Sequence, residues 1–152
     1  MQTNKELVKH LLTMQQTGVL ATQSTMYPYT SLVAFLVSDE CDSLFFITSK
    51  NTKKFDNLQT NDHVCFFIDD RKNNPSDFIK TTTLTIIGTA TEVDKHLYTN
   101  KFLQKHPQLT TFIKESEITM IKIHINEMIL VRNFQEVHRL KPKDLSDVVE
   151  QA

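Results

Sequence analysis

Glycine is nearly missing from this chain: Gly18 and Gly88 are the only two among 152 residues. Loops of the G-x-G-x-x-G or G-x-x-x-x-G-K-[ST] kind need several, because the backbone must approach a phosphate without Cβ atoms in the way. Rossmann and P-loop folds are therefore not expected. Cysteine is equally sparse, and Cys41 and Cys65 have no C-x-x-C spacing, which argues against a disulfide framework or a zinc site. Cys65, set inside an apolar strand pattern, reads as a small hydrophobe. No sign of charge dominates: 17 basic and 18 acidic side chains leave a net −1, so no whole-molecule field draws nucleic acid or an anionic membrane, and any anion site is local. The longest apolar runs are four to six residues, far short of the roughly 20 that span a bilayer. The start, MQTNKELVKHLL, lacks the apolar core and small-residue cleavage site of a signal peptide, and a cytoplasmic location is expected. The six histidines, His10, His63, His96, His106, His124 and His138, make no H-x-x-x-H or H-E-x-x-H pattern, so no metal site is expected.

What is present favours strands. Ten Phe stand among many Thr, Ile and Val, and branched and aromatic side chains pack well on a pleated surface. The length suits one domain with a real core, expected over residues 1–141 with a loose polar tail at 142–152. Thr3 to Gln16 places Leu7, Val8, Leu11 and Leu12 at helical spacing, with Thr3 or Asn4 as the cap and Gly18 as the stop. Val19 to Thr22 and Tyr29 to Val37 read as a hairpin, and Leu44 to Thr48 as a third strand. A short helix over about Thr52 to Thr60 follows, with Phe55 and Leu58 inward and Asn57, Gln59 and Asn61 outward. A strand at Val64 to Ile68 comes next. Asp69 to Phe78 (DDRKNNPSDF) reads as a long loop. Thr83 to Val93 reads as a strand with a bulge or close backbone approach at Gly88. Asp94 to Lys105 reads as a helix with Leu97, Phe102 and Leu103 inward, and Pro107 stops it or starts a second short one ending near Lys114. Ile118 to Ile125 and Met128 to Phe134 read as a closing hairpin turning at Asn126-Glu127. This is a mainly β (α+β) pattern, best closed into an antiparallel barrel with helices at its edges.

The stretch LFFITSKNTKKFDNLQTNDHVCFFIDD, Leu44 to Asp70, organises the rest. An apolar strand runs into Thr48, Ser49, Lys50, Thr52, Lys53 and Lys54 and then into a helix. Hydroxyls, lysines and backbone N–H groups thus gather where the helix end carries partial positive charge. Taken alone it is a generic anion seat.

The ordered set of LATQSTMYPYTSLVAF, the stretch above, DRKNNPSDF, LTIIGTATEV and ILVRNFQEV resembles the split-barrel flavoproteins related to pyridoxamine 5′-phosphate oxidase, over roughly Gly18 to Val137. The resemblance implies a six-stranded split β-barrel, a homodimer, and FMN sites at the subunit interface. Thr48 to Lys54 matches that family's T-x-x-x-S-R-K segment, which holds the FMN phosphate. Thr52 stands for its Ser, Lys53 for its Arg and Lys54 for its Lys, so a bidentate guanidinium has become a point-charge ammonium. Thr30, Ser31, Leu32 and Val33 match the strand bordering the flavin ring, whose oxidase pattern is R-x-V-L-L-K; Thr30 and Phe35 replace its two cations. Ile47, Thr48 and Ser49 fall beside them. Arg71 lies in a loop matching D-[DN]-R-x-x-x-P-x-D-F, and is expected at the cofactor, at the partner subunit, or paired with Asp69, Asp70 or Asp77 on the surface.

What the resemblance implies is a flavin-dependent oxidoreductase acting on a small molecule, with a non-catalytic flavin carrier or a haem-binding relative as the alternative. The oxidase's own substrate is not expected, because VHRLKPKDLSDVVEQA has no counterpart of its arginine- and histidine-bearing tail. No catalytic acid, base or nucleophile stands out.

Overall fold

The described residues form eight strands, all paired antiparallel, most of them alternating in burial: β1 (Thr17–Gln23), β2 (Pro28–Ala34), β3 (Leu36–Val37), β4 (Ser43–Ser49), β5 (His63–Asp69), β6 (Thr83–Val93), β7 (Ile118–Arg132) and β8 (Glu136–Leu140). The structure is a computed structural model and describes residues 2–146. The sheet runs β2-β1-β5-β6-β7-β4-β3, with β8 beside β7. β2 and β3 are consecutive in the chain yet stand at the two ends of that order. Phe35, the single residue between them, therefore joins the sheet's two edges. It is fully buried, its ring edge-on to Phe66 at 5.2 Å. The expected strand from Tyr29 to Val37 is thus two strands hinged at Phe35, and β2 lies against β4 across the seam. This is the expected split barrel, with the two-residue β3 and the outer β8 raising the strand number from six to eight.

The barrel interior holds Leu20, Phe35, Leu44, Phe46, Phe66, Leu84, Ile86, Ile123 and Leu130, and α1 (Asn4–Met14) closes one end with Val8, Leu11 and Leu12. Thr3 caps α1: its hydroxyl accepts from Glu6 N at 3.1 Å while the Glu6 carboxylate accepts from Thr3 N at 3.1 Å. Gly18 does not end this helix; Gln15 does, and Gly18 lies in β1, where a Cβ would stand 2.3 Å from the Phe66 ring. A second cluster, Phe45, Ile47, Phe102, Ile113, Ile118 and Met120, lies outside the barrel wall under α4 (Thr99–Lys105) and α5 (Thr110–Ile113). Leu97, expected inward, is 74% exposed, because a separate helical turn at Lys95–Leu97 precedes α4 and sets its own phase.

The expected turn at Asn126-Glu127 is absent. β7 runs through it as one strand of 15 residues, both halves paired with β6. Ile121, Ile123 and Ile125 face inward at odd numbers and Met128 and Leu130 at even ones. That phase change is a bulge at Asn126, opposite the step from Ile87 to Gly88. The true hairpin comes later, at Asn133 and Phe134, whose φ values are 50° and 67°, and leads into β8. The tail is not loose where it is described: Leu145 is buried in the barrel cluster, and Lys5 Nζ donates to Ser146 O at 3.1 Å. Residues 147–152 of the expected tail lie outside the described residues. No helix among the described residues is long and apolar enough to cross a membrane.

Candidate functional site

β4 delivers the chain to the basic turn, and its last residues are tied to β7 by the pairs Thr48 with Thr119 and Ser49 with Ile118. Thr52 then caps α2 (Lys53–Thr60), its hydroxyl accepting from Phe55 N at 3.3 Å and donating to Ser49 O at 2.8 Å. Thr48 Oγ1 stands 3.1 Å from Thr52 Oγ1. The turn is therefore closed by hydroxyls, and the cap leaves Lys53 N–H and Lys54 N–H, first in the helix, without intrahelical acceptors. Lys50 is occupied elsewhere: its Nζ is 3.7 Å from Glu92, which also takes the Thr119 hydroxyl, and its N–H donates to Glu117 O. Lys53 and Lys54 have no hydrogen bond or ion pair among the described residues. Burial lowers the Lys54 pKa from its ordinary value, so its charge is only partly solvated and gains from an anion placed beside it.

α2 is anchored by a contact that periodicity hides. Asn57, expected outward, is 1% exposed and donates from Nδ2 to Thr22 Oγ1 on β1 at 3.1 Å. Its polar identity gave no signal in the sequence; only the packing of α2 across β1 and β2 shows it.

The remaining expected residues divide. Thr30 and Leu32 face outward, Leu32 at 72% exposure, while Val33 is buried and Ser31 half-buried on the inner face. The Ile47 side chain is part of the second core cluster, so only its backbone borders the turn. β2 and the turn at Thr48 to Lys54 are neighbours across the barrel seam.

No contact joins Arg71 to that turn. Its Nε donates to Asp69 Oδ2 at 2.6 Å, and Asp69 pairs with Thr83 and Thr83 with Val131, at the end of β7 opposite Ile118. Burial raises the Asp69 carboxyl from its ordinary value, and the Arg71 guanidinium opposes this only in part. Together with Phe78, Thr83 and Phe134 they line a cavity of about 250 Å³, with Phe78 and Phe134 edge-to-face at 6.2 Å. The loop beneath is clasped by Asp77, whose carboxylate accepts from Lys72 N (2.9 Å), Asn73 N (2.7 Å), Asn74 N (3.1 Å) and the Thr81 hydroxyl (2.9 Å). The Lys72 N–H is the main cause of a carboxyl held below its usual range. The loop then ends in α3 (Asp77–Lys80).

Cys65 is not the buried hydrophobe expected. In β5 the inward set is Val64, Phe66 and Ile68, so His63 and Cys65 face out, and both line a cavity of about 420 Å³ on the sheet's outer face.

Comparison with known proteins agrees with this fold. No curated protein matches the sequence. Among solved structures, a haem-binding protein from Mycobacterium smegmatis superposes with TM-score 0.80 at 15% identity over 95% of this chain, which spans only 60% of that one. A putative pyridoxamine 5′-phosphate oxidase from Listeria innocua gives 0.68 at 19% identity, covering 85% of this chain and 98% of that one. An FAD-binding protein from Mesorhizobium loti gives 0.67 at 17% identity, covering 85% and 94%. At these identities the likeness establishes the fold. The sequence itself matches the model of the pyridoxamine 5′-phosphate oxidase family over residues 5–132, and with the barrel closed as described, the chain belongs to that family.

Proposed function

We propose that this chain binds FMN in a split barrel and acts as a flavin-dependent oxidoreductase on a small molecule, with the site shared between two protomers. The observation that carries this reading is the start of α2, where two ammonium groups without counter-ions and two free first-turn N–H groups follow a turn closed by the Thr48 and Thr52 hydroxyls. That donor set suits a phosphate dianion, and Lys54, its charge partly stripped of water, favours one. Thr30 to Val33 and the backbone at Ile47 would border the flat ring on the neighbouring strands. Bound flavin would supply the hydride or electron chemistry, and the protein position and electrostatics. Arg71, exposed in the loop after β5, is assigned by this reading to the contact with the second protomer.

The purified protein should be yellow, or turn so with FMN, showing the absorption bands of oxidised flavin. Each charge-assisted hydrogen bond contributes about 1.5–3 kcal/mol, so the double variant Lys53→Ala/Lys54→Ala should bind FMN about a hundredfold or more weakly. Unchanged affinity by fluorescence titration would place the phosphate elsewhere. The haem-binding neighbour supports a second reading, in which exposed His124 of β7, or His138 of β8 with 39% of its side chain exposed, ligates haem. The same titration with haem separates the two: a Soret shift lost on replacing either histidine, with no flavin bands, supports haem and overturns FMN.

A further inference from the structure

The last residue of α4 carries an amine that nothing answers. Lys105 Nζ is shielded from solvent and has no hydrogen-bond partner; it sits 4.0 Å over the ring of Phe35, the residue that joins the two edges of the barrel. A cation–π contact, even a desolvated one, returns only part of what burying an ion costs. The ammonium is therefore under-compensated, and burial pulls its pKa down to about 8.

Lys105 lines a surface cavity of about 480 Å³ between α1, β3 and α4. Leu12, Leu36 and Val37 give this cavity an apolar wall. The other titratable groups around it are few. Lys101 is paired with Asp39 at 3.2 Å. Cys41 is held protonated by burial and has Lys9 nearby. His106, next in the chain, is buried with Nε2 2.7 Å from Phe35 O, and burial lowers its pKa. The one carboxylate lining the cavity, Asp39, is thus committed to Lys101. None of these residues belongs to the basic turn at α2.

We propose that this cavity binds a short-chain organic carboxylate, with the Lys105 ammonium turning off the Phe35 ring to pair with its head group and the aliphatic tail lying on Leu12, Leu36 and Val37. A carboxylate brings the acceptor oxygens that the buried ammonium lacks, in the stronger, charge-assisted kind of bond. An inorganic anion would leave the apolar wall wet, and a neutral alcohol would leave the charge unpaired. The cavity selects for both ends at once.

The test is a methyl-NMR titration of the full chain with hexanoate, acetate and hexan-1-ol, following the Leu12, Leu36 and Val37 methyl groups and the Lys105 Cε resonance across pH. Hexanoate should shift these methyls saturably, bind at least tenfold more tightly than acetate or hexanol, and move the Lys105 titration upward by at least one pH unit. Lys105→Met, which keeps the apolar stem, should lose hexanoate binding at least tenfold while retaining the wild-type methyl spectrum elsewhere. Hexanol binding as tightly as hexanoate, no saturable response, a Lys105 titration unmoved by hexanoate, or full binding in Lys105→Met would each overturn the proposal. Should that variant not fold, the wild-type titrations decide alone.

Discussion

At the scale of single residues, this fold keeps several lysines short of counter-ions, and they differ in how visible they are. Lys53 and Lys54 are legible in sequence because hydroxyls precede them and a helix pattern follows. Lys105 is not: it ends a short helix whose sequence, TNKFLQK, gives no reason to bury its last ammonium, and only the fold sets Phe35 under it. Its cost is measurable. The folded value of about 8 lies below the ordinary lysine value of about 10.4. Between those pH values the unfolded chain keeps a proton that the folded chain has released, so stability rises with pH there, and the penalty is full below pH 8. Lys105→Met removes the penalty along with the offsetting ring contact. In carboxylate-free buffer at pH 7 it should stabilise the fold by about 1–2 kcal/mol, after allowing for solvent screening of a partly exposed residue. The gap between variant and wild type in urea midpoint should shrink as pH rises from 8 to 10. A gap that does not change with pH would mean that the amine is not desolvated in solution.

The elements show where pattern reading succeeds and where it gives out. Helix α1 follows from its capping box and period, and β6 from its alternation, including the close approach at Gly88. A Cβ there would lie 2.4 Å from His124 O and 2.7 Å from Ile123 Cγ2. Backbone at the bulge cannot yield as a side-chain tip can, so Gly88→Ala should destabilise by about 1–3 kcal/mol, read as a lower urea midpoint with unchanged slope. A loss below about 0.5 kcal/mol would mean that the bulge relaxes freely. The same bulge defeated the reading of β7. Two apolar sets of opposite phase separated by a polar pair look alike whether the chain reverses or slips by one residue, and nothing local distinguishes them; the long partner β6 does. Phe35 hid the break between β2 and β3 for the opposite reason. It is apolar like its neighbours, and the corner exists because the sheet must close, a demand set by residues far along the chain.

At the scale of the whole molecule, one face of the barrel is left without a cover among the described residues. Register carries an outward row from Leu32 through Val19, Phe67, Thr85 and Ile129 to Arg139, so mostly apolar side chains point away from the core across six strands. A second protomer is the occupant that the proposed function requires, and a stable pair needs about 800 Å² from each partner, an area that six adjacent strands can provide. Phe67 stands inside this row, half-buried. Phe67→Asp places a charge where the reading puts a dry contact, and should shift the protein from dimer to monomer in analytical ultracentrifugation. If the cofactor site is shared, FMN affinity should fall at the same time, although Lys53 and Lys54 are untouched. A monomer that binds FMN as the wild type does would confine the whole site to one barrel. A protein already monomeric before substitution would remove the second protomer from the proposed function and return Arg71 to a surface pair with Asp69.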